Sequence, residues 1–212
     1  MVRLLVIVFI PLILVYGSVF VDVLSITDFE NMNQLTFWAS FVGFSLLFFW
    51  RLKATSFFAT FEHELTHNFW ALITFNKPTG FHVYENGEGS FEYKGRGNFM
   101  ISLSPYFFPT FAFFLLPFHD LLKQQVIIYY FVLMGVVMAF HFVTSIKETH
   151  LQQSDIKQYG WFFSLTTILL GNIVCFGAVI AFTHAGWEGI LQFFVSGFDL
   201  VIDLIGKFTR EV

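Results

Sequence analysis

The sequence has few charged residues. Asp, Glu, Lys and Arg together make up 12% of its 212 positions, whereas soluble domains carry about 25%. Apolar residues make up 56%, so the chain lacks the polar side chains that would cover a water-facing surface. This composition excludes a soluble globular protein and also excludes a disordered chain, which needs low hydrophobicity.

Basic residues and cysteine are scarce as well. The chain has 11 Lys and Arg against 15 Asp and Glu, giving a net charge of −4, and it contains no basic block, so nucleic acid is excluded as a partner. The single cysteine, Cys175, lies inside an apolar run and has no second cysteine for a disulfide within the chain. We predict it to be a small buried hydrophobic residue.

Long runs without charge are abundant. A membrane-spanning helix needs about 20 mostly apolar residues, and a further stretch interrupted by ionisable residues brings the number of candidate spans to six. The sequence thus predicts an all-α polytopic membrane protein. In the last and longest run, Gln158–Trp187, we expect the helix to end near Phe182. The six stretches are Leu4–Val21, Asn31–Trp50, Ala54–Phe75, Gly97–His119, Gln124–Ile146 and Gln158–Trp187.

Three segments depart from this pattern. Two alternating stretches, 81–85 and 90–94, flank Asn86-Gly87-Glu88-Gly89 and predict a β-hairpin that lies at the membrane interface or is buried against helices. The segment Ile190–Phe208 has polar residues at three- and four-residue spacing, which predicts an amphipathic helix at the interface. The first run fits a retained anchor better than a cleaved signal peptide, because Val15-Tyr16-Gly17 is a poor cleavage site. We expect one membrane-embedded domain over residues 1–212.

The most informative segment is His63-Glu64-Leu65-Thr66-His67. On a helix, residues four apart lie on one face, so His63 and His67 can offer two imidazoles to one zinc ion. Glu64 lies one step further around the helix and can reach a water held by the metal without ligating it. Ionisable residues at membrane depth are costly and mark functional sites.

A hydrolytic zinc ion usually has three protein ligands and a water, so a third donor must come from elsewhere. Asp155 precedes the last predicted span, where its carboxylate can face the bundle; Glu148 and His150 are the alternatives. His141 reads better as a core histidine. The candidates near a span are His119, His141, Glu148, His150, Asp155 and His184.

The His/Glu motif, the hairpin after it and a later aspartate resemble the site-2 protease family of intramembrane zinc metalloproteases. The stretch Ser102–Pro109 also looks like the small-residue and proline segment of compact bacterial members without a PDZ domain. The resemblance covers roughly residues 54–182 and implies His63, His67 and Asp155 as ligands of one zinc ion and Glu64 as the catalytic base. The chain departs from the family pattern at Thr66, where a glycine is usual, and around Asp155, which lacks the usual following glycine.

These observations predict an intramembrane zinc metalloprotease that hydrolyses peptide bonds of membrane-protein substrates. We expect a multi-pass protein of the bacterial inner membrane, in contact with lipid and with a transmembrane substrate. The alternatives are a zinc-binding membrane scaffold or inactive relative, a zinc transporter, and a di-iron hydroxylase. The last normally needs several histidine boxes, whereas only His63 and His67 form one here.

Overall fold

Eight helices and one pair of strands make up the chain in a computed structural model, which describes residues 2–53, 56–84 and 87–210. Short 3-10 turns precede α1 and follow α4 and α5. The elements are α1 (Val6–Ser25), α2 (Met32–Arg51), α3 (Phe57–Ile73), β1 (Lys77–Val83), β2 (Gly89–Lys94), α4 (Phe99–Leu103), α5 (Thr110–Leu115), α6 (Ile127–Glu148), α7 (Ser154–Tyr159) and α8 (Trp161–Arg210).

The described residues hold four helices that are long and apolar enough to cross a membrane, namely α1, α2, α6 and α8. A fifth span arises if Phe99–Tyr106 and Thr110–Leu121, which meet at 89°, are counted together. The all-α polytopic class is confirmed, but the spans are fewer than the six expected. One reason is that α3 has only 17 residues; the other is that the predicted span at 97–119 is broken, since Pro109 cannot continue a helix.

The helix α2 packs along α6, and the two approach closely. A methyl group on Gly135 would lie 2.4 Å from the carbonyl oxygen of Phe37, so only glycine permits this contact. The Lys147 ammonium of α6 donates to the carbonyls of Phe48, at 3.0 Å, and Phe49, at 2.9 Å. The Phe48 carbonyl also accepts from the Leu52 amide, so Lys147 adds a second donor there, and its positive charge is favourable beside the C-terminal end of α2.

The helix α8 folds back on itself. Its backbone is non-helical at Ala185 and Gly186, close to where the sequence predicted a helix end. A methyl group on Gly177 would lie 2.4 Å from the Phe193 ring, although a straight helix would hold these positions about 24 Å apart. Residues 187–210 therefore return along residues 161–184, and they also pack on Tyr16 of α1. The polar positions on this segment, including Gln192 and Asp199, are exposed.

The hairpin is present where the sequence predicted it and packs on α3. The strands β1 and β2 are antiparallel, with Phe81 opposite Phe91, and β1 begins earlier than expected, at Lys77. The Phe81 ring meets the Phe61 ring at 5.6 Å. Position 85, the last of the first predicted strand, and position 86, the first of the predicted turn, lie outside the described residues.

A buried acid and a buried histidine connect α3 to α6. Glu62 is 3% exposed and His141 is 1% exposed, and their nearest polar atoms, Glu62 Oε2 and His141 Nδ1, lie 3.7 Å apart. Within the described part of the chain, Glu62 Oε1 and His141 Nε2 lack a hydrogen-bond partner. His141 is therefore a core residue, as the sequence favoured. Glu62 and His141 form a buried pair of ionisable side chains.

Replacing one member of this pair should destabilise the protein. We expect His141→Leu to lower the free energy of unfolding by about 3 kcal/mol, because it leaves the Glu62 carboxyl group buried without its partner. The double variant Glu62→Leu/His141→Leu should recover most of that loss, since apolar side chains of similar volume often replace a buried pair without cost. Thermal unfolding in detergent measures both changes, and a wild-type transition for His141→Leu would contradict the expectation.

Candidate metal centre

The helix α3 presents His63 and His67 on one face, one turn apart. Their ring centroids are 4.8 Å apart, and their side chains are 15% and 9% exposed. Ser56 is the N-cap of the helix, and its hydroxyl accepts a hydrogen bond from the Ala59 amide, as helix N-caps commonly do. The spacing of the motif thus brings both imidazoles to one side of α3, as the sequence predicted.

The short helix α7 brings Asp155 to the same side. Its Oδ2 atom lies 3.8 Å from the Nε2 atoms of both His63 and His67. One donor atom from each of the three residues lies within 4.8 Å of the others. Burial raises the pKa of the Asp155 carboxyl, but the neighbouring imidazoles and the Tyr106 hydroxyl outweigh it and hold that pKa below its ordinary value. The group is therefore a carboxylate at neutral pH.

The outward-facing nitrogens of both histidines have partners of their own. His67 Nδ1 lies 2.7 Å from the carbonyl oxygen of Ile101, which can only accept, so this nitrogen carries the proton. His63 Nδ1 lies 2.8 Å from Glu148 Oε2, where a carboxylate favours the same tautomer. A metal binds the neutral form of an imidazole, and in that form a proton on Nδ1 leaves the Nε2 lone pair on the side of Asp155. Such outer contacts orient histidines that bind metals.

This donor set fits a zinc ion. Two imidazole nitrogens and one carboxylate oxygen are the three protein ligands typical of a hydrolytic zinc site, which keeps a fourth position for water or substrate. Donors around a tetrahedral zinc ion lie about 3.3 Å apart, so the observed separations are wider by about 1.5 Å or less. Asp155, His63 and His67 could hold the metal with small side-chain movements.

Glu64 opens into a cavity beside this cluster. The cavity has a volume of about 270 Å³ and lies between α3, the hairpin and the region where α6 ends. Glu64 lines this cavity but is not one of the three residues of the cluster. Its carboxyl group is therefore available to a molecule in the cavity. The cavity is lined by Thr60, His63, Glu64, Gly87, Gly89, Lys147, Glu148, His150 and Gln153.

The hairpin covers this cavity and touches Glu64. Thr60 of α3 donates a hydrogen bond of 2.9 Å to the carbonyl of Gly87, and the Phe91 ring stacks on His67 with centroids 5.5 Å apart. A methyl group on Gly89 would lie 2.8 Å from Glu64 Cγ and 2.5 Å from Thr60 Cγ2. The strand can approach the glutamate this closely because Gly89 has no side chain.

Adding that methyl group should displace either the strand or Glu64. We expect Gly89→Ala to reduce any hydrolytic turnover by about 10²-fold, the loss that a misplacement of about 1 Å can cause, while metal content stays unchanged. Ser90→Ala changes the adjacent exposed residue and should be neutral. Turnover and bound metal measured on both variants check this, and full activity in Gly89→Ala would exclude a close fit between hairpin and glutamate.

The other candidates from the sequence lie elsewhere. Glu148 contacts the far nitrogen of His63 and so lies outside the three-residue cluster, while His150 lines the cavity. His119 pairs with Asp120 at 2.8 Å, and His184 lies just before the break in α8. Tyr106 was not among the predicted site residues; the only signal near it was the pair of prolines at 105 and 109 within the apolar run.

Comparison with known proteins places the chain in a family. The family model described as Peptidase M50B-like matches residues 36–151, more than half of the chain, and the match contains His63, Glu64 and His67 but ends before Asp155. No curated protein and no solved structure gives a significant match. The chain belongs to the Peptidase M50B-like family, and therefore to the site-2 protease family.

Proposed function

We propose that this protein is an intramembrane zinc metalloprotease that hydrolyses peptide bonds in membrane-protein substrates. The observation that supports it most is the convergence of three metal-ligand atoms beside the cavity that contains Glu64, in a chain of this family. The proposal treats residues 1–212 as one domain, with the catalytic core at roughly 54–182, and places it in the bacterial inner membrane.

In this proposal His63, His67 and Asp155 hold one zinc ion. Zinc, when bound, polarises a scissile carbonyl and lowers the pKa of water. The protein contributes the orientation of the donors. Ile101 and Glu148 hold the two rings from behind, which keeps the Nε2 atoms directed at Asp155.

Glu64 moves the protons. Its carboxylate accepts a proton from the attacking water as the water oxygen bonds to the scissile carbonyl carbon. The same group then donates this proton to the amide nitrogen as the carbon–nitrogen bond breaks, so that one water yields a carboxyl terminus and an amine. Glu64 lines the cavity together with His63, which supports this role.

The hairpin supports the handling of an unwound substrate. A helical substrate hides its carbonyls in hydrogen bonds within the helix, so a segment must become extended before it can be cleaved. A two-stranded sheet presents an outer edge on each strand, and an extended peptide can add to such an edge. Phe91 of β2 stacks on His67, which brings the hairpin next to the metal ligands.

The test combines metal analysis with proteolysis. The purified protein is reconstituted in liposomes with a set of single-span test proteins, and peptide products and bound metals are measured. We expect about one zinc ion per chain and cleavage that a chelator stops and added zinc restores. Zinc without cleavage of any test protein would support a scaffold or inactive relative, and two iron ions per chain would support a hydroxylase.

A further inference from the structure

Tyr106 lies at the break between α4 and α5, where the chain turns by 89°. A helix that ends leaves its last carbonyls without amide partners from the next turn, and here two side chains from other helices satisfy the Tyr106 carbonyl. Asn172 of α8 donates to it at 2.9 Å, and the Ser145 hydroxyl of α6 donates to it as well. The backbone of Tyr106 is thereby held between two long helices.

The side chain of Tyr106 reaches the candidate metal centre. Tyr106 is fully buried, and its ring meets the His63 ring edge-on, with centroids 5.3 Å apart. Its hydroxyl donates a hydrogen bond of 3.2 Å to Asp155 Oδ2. This is the same oxygen that lies 3.8 Å from both Nε2 atoms, so the phenol contacts the atom that would bind the metal.

Asp155 needs such support because α7 is short. The helix has six residues, and Gln153 at its N-cap makes no side-chain capping bond. Asp155 itself is 24% exposed in its side chain. A carboxylate on so short a helix can rotate toward solvent, whereas the Tyr106 hydroxyl, anchored through α6 and α8, favours the rotamer that faces the imidazoles.

We propose that Tyr106 is a positioning residue, whose hydroxyl holds the Asp155 carboxylate toward His63 and His67 and so raises the affinity of the site for zinc. The proposal rests on the proposed function, because it concerns the same metal. It assigns a role to the proline-containing break as well, since a straight helix would not leave the Tyr106 carbonyl available to Asn172 and Ser145.

The experiment compares Tyr106→Phe with Tyr130→Phe. Tyr130 is another buried tyrosine, and its hydroxyl has no hydrogen-bond partner among the described residues, so its loss should be harmless. We expect Tyr106→Phe to weaken zinc binding by about 10- to 100-fold, the usual effect of removing an outer contact to a metal ligand. Competition with a chromogenic chelator measures this affinity, and thermal unfolding of metal-free protein shows whether the fold is intact.

The outcomes separate the possible roles. Weaker zinc binding with an unchanged metal-free transition, in Tyr106→Phe but not in Tyr130→Phe, supports positioning. Equal zinc affinity in wild type and Tyr106→Phe overturns the positioning role and leaves the proposed function standing. If the metal-free Tyr106→Phe protein unfolds at a lower temperature and this accounts for the loss of affinity, Tyr106 has a packing role instead. Wild-type protein that binds zinc but cleaves nothing contradicts only the proposed function, and wild-type protein that binds no zinc contradicts both.

Discussion

Replacing Glu64 by Gln should stop peptide hydrolysis while the protein keeps its zinc. The amide has nearly the same size and shape, but it can neither accept the proton of the attacking water nor return it to the leaving nitrogen. Proton transfer by a positioned side chain contributes about 10²- to 10⁴-fold to a rate, and we expect a loss in that range. Initial cleavage rates in liposomes and zinc per chain, measured on the same preparation, check the two halves of the prediction.

A matched control comes from the hairpin. Glu92 is an exposed glutamate of β2, and Glu92→Gln removes the same charge at a position outside the cavity lining; it should cleave at the wild-type rate. Cleavage retained in Glu64→Gln would remove Glu64 from the base role. Loss of zinc in Glu64→Gln would instead make this residue a ligand and require a different base.

The sequence predicts the helix that carries the His/Glu motif well, because the information there is local. A four-residue spacing corresponds to one turn of an α-helix, so His63 and His67 share a face whatever surrounds them. The hairpin is local in the same sense, since its alternating strands border a short connection. Hydropathy likewise locates the long apolar helices α1, α2 and α6.

The path of the chain within an apolar run is less predictable. Hydropathy reports the composition of about 20 residues and says nothing about the direction in which the chain runs. Residues 97–119 are therefore predicted as one span, although the chain bends there by 89°. The prolines at 105 and 109 were visible, but a proline in a membrane helix can also produce only a kink. The return of residues 187–210 along α8 depends on contacts of Gly177 and Gly189 that no local pattern specifies.

The identity of the third donor depends on contacts between distant segments. Glu148 and Asp155 are both carboxylates near the ends of predicted spans, and spacing alone does not rank them. The structure separates them by the imidazole nitrogen that each approaches: Glu148 faces Nδ1 of His63, whereas Asp155 faces Nε2 of both histidines. That distinction requires the packing of α6 and α7 on α3.

The same distinction predicts two different losses of zinc affinity. Asp155→Ala, like His67→Ala, removes a proposed ligand, and each should weaken zinc binding by well over the ~100-fold that loss of an outer contact can cause. Glu148→Gln keeps the shape of the side chain but weakens its contact with the His63 ring, so its effect should stay within about 10- to 100-fold. Zinc titrations against a chelator, with bound metal counted after dialysis, measure all three.

Ranking these variants by their loss of zinc affinity identifies the ligands, because removing a ligand weakens binding more than removing an outer contact to a ligand does. His150→Ala is the matched control: His150 lines the cavity without belonging to the three-residue cluster, so its zinc affinity should be close to that of the wild type. If Asp155→Ala kept full affinity while Glu148→Gln or His150→Ala lost it, the third ligand would be one of those residues. The imidazoles would then have to turn away from Asp155 to bind the metal.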